Sequence, residues 1–305
     1  MGRIPLVVIP TLCLVIAGGA HPAPTPAASL RSAPLRLEHV GADSTGFHVI
    51  ATLIAGPTEL IVWDAQYHRR DANRLADRIA ATGKRLKGIV LSHPDHDHYM
   101  GVATVLARFP GTPVYLSAAG IAEFARTGAQ WLEMERRGPL AKEAPDSLVM
   151  PQALPPGRLT VDGQALEILP DLIGDSGIPA NSVLWIPSLR AALVADLAFD
   201  GVHPWLGASS EASRQDWIAA IDRVLALRPA VVVPGHKRNV DAPDSPDVLR
   251  FTQGYLRDFD ALRKTSAGPE ALVAAMTAKY PGLAVADLLR FGAQMSFRPP
   301  RAKSE

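Results

Sequence analysis

Short apolar runs separated by polar turns dominate the first third of the chain. Runs with β-type spacing cover residues 35–40, 47–54 and 59–62. The spacing then changes to that of a helix over residues 71–82, with Asp71 as a good N-cap. A further apolar run at residues 88–91 is typical of a buried strand. The pattern therefore predicts several strands, interrupted by one helix, before residue 92.

The rest of the chain repeats this mixture. Helical spacing covers residues 101–109, 117–137 and 211–227, and the chain is largely helical from residue 243 onward. Pro and Gly residues separate short strands at residues 113–116, 158–161, 165–169, 182–186, 191–194 and 230–233. Strand-rich halves divided by helices predict an α/β fold, in which two mixed β-sheets pack face to face and helices cover the outer faces.

The composition is that of a globular protein. The 305 residues are 48% hydrophobic and 20% charged, so the chain can bury a sizeable core. We expect one domain at residues 33–240 and a C-terminal helical extension of it at residues 241–305. The 31 basic and 30 acidic residues leave a formal net charge of +1, which gives no strong field for a polyanion. A small-molecule substrate and no nucleic acid partner are expected, and the oligomeric state is left open.

The first thirty-two residues have a pattern of their own. Arg3 precedes an apolar run over residues 4–17 and three small residues, which is the order of a secretory signal peptide. We predict a signal peptide at residues 1–20, with an uncleaved N-terminal anchor as the alternative, and a flexible leader at residues 21–32. The protein is therefore expected to be exported, to the periplasm or the medium. Its mature form would have no disulfide, because Cys13 is the only cysteine.

The densest chemistry follows the strand at residues 88–91. Six consecutive positions carry three histidines and two aspartates: His93, Asp95, His96, Asp97 and His98. Imidazole and carboxylate groups are common metal ligands, and so many of them at one strand end need a cation to neutralise them. The motif therefore predicts a metal site.

Four further ionisable residues stand where apolar runs end: Asp64, Asp175, Asp196 and His236. A strand can be buried along its length while the polar residue at its end reaches a shared site. These four residues are therefore candidates to join the motif.

The motif and the later strand ends resemble, in order and spacing, the metallo-β-lactamase-fold hydrolase superfamily. The similarity extends from about residue 35 to residue 238, and three segments carry it besides Asp64: residues 93–101, Ala195-Asp196 and Pro234-Gly235-His236. The superfamily motif is HxHxDH, and its side chains hold metal ions with ligands from later strands. The resemblance implies an αββα sandwich, with residues 33–240 as the metallo-β-lactamase-like domain.

The resemblance assigns ligands for two divalent metal ions. The first site would consist of His93, Asp95 and Asp175, and the second of Asp97, His98, Asp196 and His236. Asp95 and Asp175 stand where the family carries histidine, although an HxDxDH form also occurs in the nuclease-like domain of bacterial competence proteins. Zinc is favoured as the metal. Manganese or iron are alternatives, because the first site is rich in oxygen ligands.

Four residues near the site have more than one interpretation or a supporting role. His96 is favoured as a surface histidine, and the alternatives are a substitute ligand and a proton shuttle. His203 either orients the substrate or a carboxylate, or is a loop histidine packed by Trp205. Asp64 is favoured as a support behind the motif loop. Asp171 is a weaker candidate for the ligand position in the loop at residues 171–176.

The resemblance implies hydrolysis by a metal-bound hydroxide, with Asp97 as the catalytic residue that also binds the nucleophile or passes a proton to the leaving group. An ester, lactone, thioester or amide is the expected substrate. β-Lactamase or phosphodiesterase activity is one alternative, and a degenerate protein that binds a metal or ligand without turnover is another. No stretch of the sequence identifies the substrate-binding residues.

Overall fold

The structure, a computed structural model, describes residues 1–2, 33–155 and 158–298. The predicted signal peptide and leader therefore lie outside the described residues, apart from residues 1 and 2. All helices and strands below belong to the unit that begins at Ser32.

The first sheet contains six strands among the described residues, in the order of the chain. They are β1 Arg36–Gly41, β2 Ile50–Ala55, β3 Glu59–Trp63, β4 Arg85–Val90, β5 Val114–Leu116 and β6 Gln152–Ala153. The first three strands pair antiparallel, and β3 to β6 pair parallel. A parallel pair needs a long crossover, which the helix at Arg69–Ala81 provides between β3 and β4. The sheet is therefore mixed.

The second sheet contains five strands among the described residues. They are β7 Leu159–Val161, β8 Gln164–Ile173, β9 Pro179–Ile186, β10 Ala191–Asp200 and β11 Val231–Lys237. Strands β7 to β10 pair antiparallel through short turns, whereas β10 and β11 pair parallel across an intervening helix. This sheet is also mixed.

Helices cover the outer face of each sheet. They are α1 Arg69–Ala81, α2 His96–Tyr99, α3 Val102–Arg108, α4 Ala118–Arg137, α5 Glu211–Ala226, α6 Asp247–Thr265, α7 Pro269–Lys279 and α8 Ala286–Ser296. The prediction that Asp71 caps α1 is wrong, because the helix begins two residues earlier and His68 is the N-cap residue. Asp71 is instead buried, and its Oδ1 accepts a hydrogen bond from Arg74 at 2.8 Å. Within the described part of the chain, no helix has the length and hydropathy needed to span a membrane.

Three apolar layers hold the fold together. The layer between the sheets includes Ile54, Trp63, Leu184 and Leu193. A second layer joins the first sheet to α1, α3 and α4, and a third joins the second sheet to α5, α6, α7 and α8. Burying apolar faces on both sides of two sheets is the αββα arrangement, so the predicted fold class is confirmed.

Two strands that carry site residues are longer than the sequence predicts. β10 continues from residue 194 to Asp200 and β11 from residue 233 to Lys237, so Asp196 and His236 lie inside strands rather than just after them. The pairing of β10 with β11 shifts register around Ala195, whose φ of 46° is left-handed. Such an irregularity re-aims side chains. Asp196 can therefore take part in a site while its strand continues.

Candidate metal centre

The motif loop leaves β4 and turns directly into the single turn of α2. Asp95 is the N-cap residue of α2, and the His98 amide donates to the Asp95 carbonyl at 3.0 Å. This tight turn places both nitrogen and oxygen donors on a few consecutive residues. His93, Asp97 and His98 are buried, whereas 29% of the Asp95 side chain is exposed.

Asp64 lies directly behind the motif loop and fixes two of its residues. Its Oδ1 accepts the Ser92 amide at 2.7 Å, and its Oδ2 lies 2.8 Å from Ser92 Oγ and 2.9 Å from His98 Nδ1. Ser92 Oγ also lies 2.8 Å from His93 Nδ1. With both Nδ1 atoms held from behind, the Nε2 atoms of His93 and His98 are left for a cation. The structure thus places Asp64 as a support and not among the candidate ligands.

The second sheet supplies the other candidate ligands. Asp196 on β10 has its Oδ1 3.2 Å from His98 Nε2 and its Oδ2 3.1 Å from His236 Nε2. His236 on β11 donates through Nδ1 to the Phe47 carbonyl at 2.8 Å, which leaves its Nε2 facing the cluster. Asp175, buried in the loop between β8 and β9, accepts the Ser176 amide at 2.7 Å.

The candidate ligands fall into overlapping groups whose donor atoms all lie within 4.8 Å of one another. One group is His93, Asp95 and Asp175, which is the predicted first site. Two others are Asp97, His98 and His236, and His93, His98 and Asp196. Asp196 connects the last two groups, because it lies close to His93, His98 and His236. The structure therefore brings all seven predicted ligands together in three overlapping groups, and the members of the predicted second site, Asp97, His98, Asp196 and His236, are divided between the last two.

Unpartnered atoms show that these residues fit a cation. His93 Nε2, His98 Nε2 and Asp196 Oδ1 are fully buried and form no hydrogen bond with any described residue. Buried polar atoms are nearly always satisfied, and leaving three of them without partners costs free energy. Imidazole nitrogens and carboxylate oxygens are the donors that divalent transition metals prefer. The donor set and its orphaned atoms are therefore those of a metal centre.

The protonation of the cluster reflects how closely its charges are packed. Burial raises the pKa of Asp175 well above its usual range, and the charges of Asp196, Asp95 and Asp97 raise it further. Burial would also raise the pKa of Asp196, but the imidazoles of His236, His98 and His93 hold it well below its usual value. Metal ligands must be deprotonated, so metal binding at the first site competes with a proton on Asp175.

His96 is less exposed than a surface histidine would be. It is partly buried, with 17% of its side chain exposed. Its ring stacks on Trp131 with 4.3 Å between centroids and meets Tyr67 edge-on at 5.0 Å. Its Nε2 lies 3.8 Å from Glu135 Oε1. His96 therefore connects the motif loop to α4 and does not join any of the candidate ligand groups.

Two other candidates lie away from the ligand groups. Asp171 is exposed, whereas Asp175 is buried in the cluster, so the structure favours Asp175 as the loop ligand. His203 is buried, and its Nδ1 lies 2.9 Å from the Tyr255 hydroxyl. Trp205, two residues further along, stacks on Phe291 with 4.9 Å between ring centroids. His203 thus has a structural contact with α6.

Sequence reasoning missed several residues that shape the centre. Ser92 connects Asp64 to His93, and only its position beside the motif could have suggested it. The Phe47 carbonyl and Glu135 reach the site from distant segments, and no sequence signal marks them. The sequence marks Gly235 only as the middle residue of Pro234-Gly235-His236. A Cβ built on it would lie 2.1 Å from Asp196 Oδ1, so the position requires glycine.

The fold and the site together define an αββα protein with a His/Asp metal centre between two sheets. A profile described as the metallo-beta-lactamase superfamily matches residues 44–236, which is more than half of the chain. The chain therefore belongs to the metallo-β-lactamase superfamily, whose members are mostly metallo-hydrolases. A comparison with curated protein sequences gave no match.

Solved structures share this fold at low sequence identity. A metallo-beta-lactamase family protein from Thermus thermophilus is 19% identical, with a TM-score of 0.59 over 85% of this chain and 91% of its own. A metallo-beta-lactamase from Pontibacter korlensis is 18% identical, with a TM-score of 0.51 over 73% and 94%. A double mutant of the sec-alkyl sulfatase PisA1 is 18% identical, with a TM-score of 0.54 over 82% and 48%. These similarities concern the fold.

Proposed function

We propose that the protein is a metal-dependent hydrolase of a small-molecule ester, lactone, thioester or amide. The observation that carries the proposal is the convergence of three buried, unpartnered donor atoms, His93 Nε2, His98 Nε2 and Asp196 Oδ1, between two ligand sets. A structural metal site is typically closed by four ligands, whereas a catalytic one keeps a position open. The first set offers three residues, and one of them, Asp95, is partly exposed, so a substrate could approach there.

We infer the residues that would hold each ion from the family resemblance and from the closeness of their donor atoms. His93, Asp95 and Asp175 would hold one, and Asp97, His98, Asp196 and His236 the other. When bound, two such ions lower the pKa of a water molecule toward neutrality and polarise the substrate oxygen. We favour zinc as the metal. Manganese or iron are alternatives, because oxygen donors outnumber nitrogen donors in the first set.

Asp97 is the residue we assign to proton handling. Its side chain is 10% exposed, more than Asp196 or either histidine of the second set, and its Oδ2 lies 3.5 Å from His236 Nε2. A carboxylate at the edge of the cluster can orient a water molecule and pass its proton to a leaving group. No serine or cysteine nucleophile is required.

Two alternatives use the same residues. The first is a phosphodiesterase, whose metal ions the oxygen donors of the first set could hold, or a β-lactamase, which the metallo-beta-lactamases among the solved structures suggest. The second is a metal- or ligand-binding protein without turnover, since the first set has a single nitrogen donor. Export remains our proposal from the N-terminal pattern.

The test is metal analysis combined with a substrate panel. We expect about two equivalents of metal per chain, hydrolysis within an ester, lactone, thioester and amide panel, and loss of both metal and activity in His98→Ala. His39→Gln is the matched control, because His39 is also held by an aspartate, Asp244 at 2.9 Å, outside the centre. Absence of bound transition metal, together with unchanged activity in His98→Ala, would contradict the proposal.

A paired substitution separates the alternatives. Asp95→His combined with Asp175→His restores the nitrogen-rich pattern of the superfamily. Increased activity would identify a decayed first site, and decreased activity a site that uses its oxygen ligands. One metal equivalent without turnover on esters, lactones, β-lactams or phosphodiesters would support the binding protein.

A further inference from the structure

The metal centre contains an unusual excess of negative charge. Asp64, Asp95, Asp97, Asp175 and Asp196 all contribute to it. Two divalent cations would not neutralise these five carboxylates. Compared with the family pattern, the aspartates at positions 95 and 175 replace neutral ligands with anionic ones. A substrate at this centre therefore meets a residual negative charge even when both ions are bound.

The Lys and Arg side chains of the described residues form no ion pair with these carboxylates. Among the described residues, no Lys or Arg nitrogen lies within 4.0 Å of a carboxylate oxygen of the five aspartates. The cations that directly follow His236 point elsewhere. Lys237 pairs with Asp244 at 2.5 Å, and Arg238 donates to the Gly282 carbonyl at 2.7 Å. Recognition of an anionic group ordinarily uses an Arg or Lys side chain, and the centre lacks one within this distance.

Glu135 adds a further carboxylate beside the motif. Its side chain is 13% exposed, and its one ionic neighbour among the described residues is His96 Nε2, at 3.8 Å. Burial raises the pKa of Tyr67, and a hydrogen bond to Glu135 and the charges of Glu135 and Asp97 raise it further. Tyr67 and Glu135 both lie against His96, Tyr67 edge-on at 5.0 Å between ring centroids and Glu135 at 3.8 Å from Nε2.

Among the described residues, no Lys or Arg nitrogen lies within 4.0 Å of the Glu135 carboxylate. A carboxylate that has no such partner can act on the charge of a group that approaches it. The exposed edge of the cluster is where a substrate group would approach, since Asp95 is 29% exposed. A positively charged group there would be attracted by Glu135, a neutral group would feel little of its charge, and a negatively charged one would be repelled.

We propose that the centre accepts neutral or positively charged substrates and discriminates against anionic ones, and that Glu135 is a specificity-determining residue for this preference. The proposal rests on the proposed hydrolase function and narrows its substrate class. It places phosphodiesters, sulfate esters and carboxylate-bearing acyl compounds among the disfavoured substrates.

Binding can be measured without turnover by a matched series of hydroxamic acids on the zinc-loaded protein. Butyrohydroxamic acid is neutral outside its metal-binding head, succinic monohydroxamic acid carries a carboxylate, and γ-trimethylammonio-butyrohydroxamic acid carries a fixed positive charge. Titration calorimetry gives the three Kd values. We expect the anionic compound to bind about tenfold or more weakly than the cationic one, because the carboxylates of the centre repel the first compound and attract the second.

Two substitutions on α4 identify the source of the preference. Glu135→Gln should reduce the ratio of anionic to cationic Kd several-fold, and Glu135→Lys should reverse the order. Glu133→Gln is the matched control, because Glu133 pairs with Arg137 at 2.6 Å on an exposed part of the same helix. It should leave the ratio unchanged.

The outcomes distinguish this proposal from the function it rests on. Equal or tighter binding of the anionic compound, no binding of any compound, or an unchanged ratio in Glu135→Gln would overturn the charge preference. Hydrolysis of neutral esters alongside such a result would leave the hydrolase proposal standing. The expected Kd order without any turnover would uphold the preference and overturn the hydrolase.

Discussion

Asp64 shows how much of the centre depends on one residue that is not itself a ligand. Its carboxylate binds the Ser92 amide and hydroxyl and His98 Nδ1, and thereby reaches both His93 and His98. Its φ of 61° lies in the left-handed region, which aspartate and asparagine tolerate better than most residues. Asparagine is therefore the substitution that removes charge without adding backbone strain.

We predict that Asp64→Asn weakens metal binding by about 10- to 100-fold, because supports of this kind orient a ligand and raise its basicity. Competition with a chromogenic chelator measures the affinity. Asp171→Asn is the control, since Asp171 is exposed and also has a left-handed φ, of 59°. Equal affinities in Asp64→Asn and the unsubstituted protein would contradict this role.

At the residue scale, the sequence identified the candidate ligands but not their supports. The seven ligand candidates are ionisable residues at the ends of apolar runs, and that position is visible in a sequence. Ser92 and the Phe47 carbonyl act through hydrogen bonds that exist only after folding. The partial burial of His96 is not visible in the sequence, because Trp131, which stacks on its ring, lies two helices further along the chain.

At the element scale, the parallel pair β10 and β11 aligns the two ligands of the second sheet. Asp196 and His236 come within 3.1 Å of each other because the register shifts near Ala195. Gly235 lies against this irregular stretch. A Cβ there would be 2.7 Å from the Ala195 carbonyl carbon and 2.1 Å from Asp196 Oδ1.

We expect Gly235→Ala to displace the Asp196 carboxylate and to weaken metal binding at least tenfold, with a loss of about 1–3 kcal/mol in the free energy of unfolding from overpacking. Metal content after dialysis and chemical denaturation measure the two effects. Gly254→Ala in α6 is the control, because the nearest atom to its Cβ is Tyr280 Oη at 3.9 Å. A fully metal-loaded Gly235→Ala protein would show that the strand can accommodate a side chain.

The sequence predicted the order and type of most elements but not the ends of β10 and β11. Apolar runs identify a strand where side chains are buried, and the runs stop at Asp196 and His236 because ligands interrupt them. Backbone pairing continues past these residues, for instance between Asp200 and Lys237. Hydrogen bonding of the main chain does not depend on apolar side chains. A prediction from the hydrophobic pattern alone therefore places the ends of these two strands too early.

At the scale of the whole molecule, the C-terminal helices complete the core on the outer face of the second sheet. Leu249, Tyr255 and Phe259 of α6 are fully buried in one cluster with residues of β10 and α5. His203 lies under these helices, bonded to Tyr255. Burial lowers the pKa of His203 to about 4, so the folded protein keeps this imidazole neutral.

This buried histidine predicts acid sensitivity. The unfolded chain binds a proton on His203 near pH 6.5 and the folded protein only near pH 4, so its contribution to stability is present above pH 6.5 and is lost as the pH falls toward 4. The loss amounts to up to about 3 kcal/mol. Metal-free His203→Gln should therefore lose less stability than the unsubstituted metal-free protein between pH 7 and pH 4. Denaturant titrations at both pH values test this, and equal losses would contradict it.

The hydrogen bond from His236 to the Phe47 carbonyl has a consequence for the order of folding. It joins residues 189 positions apart, and the ligands of the second set come from both sheets. Closing so long a loop is slow and entropically costly, so the sheets must form and meet before it can persist. The motif loop is complete in sequence long before His236. Metal capture with full affinity should therefore be a late event, after most of the chain has reached its native arrangement.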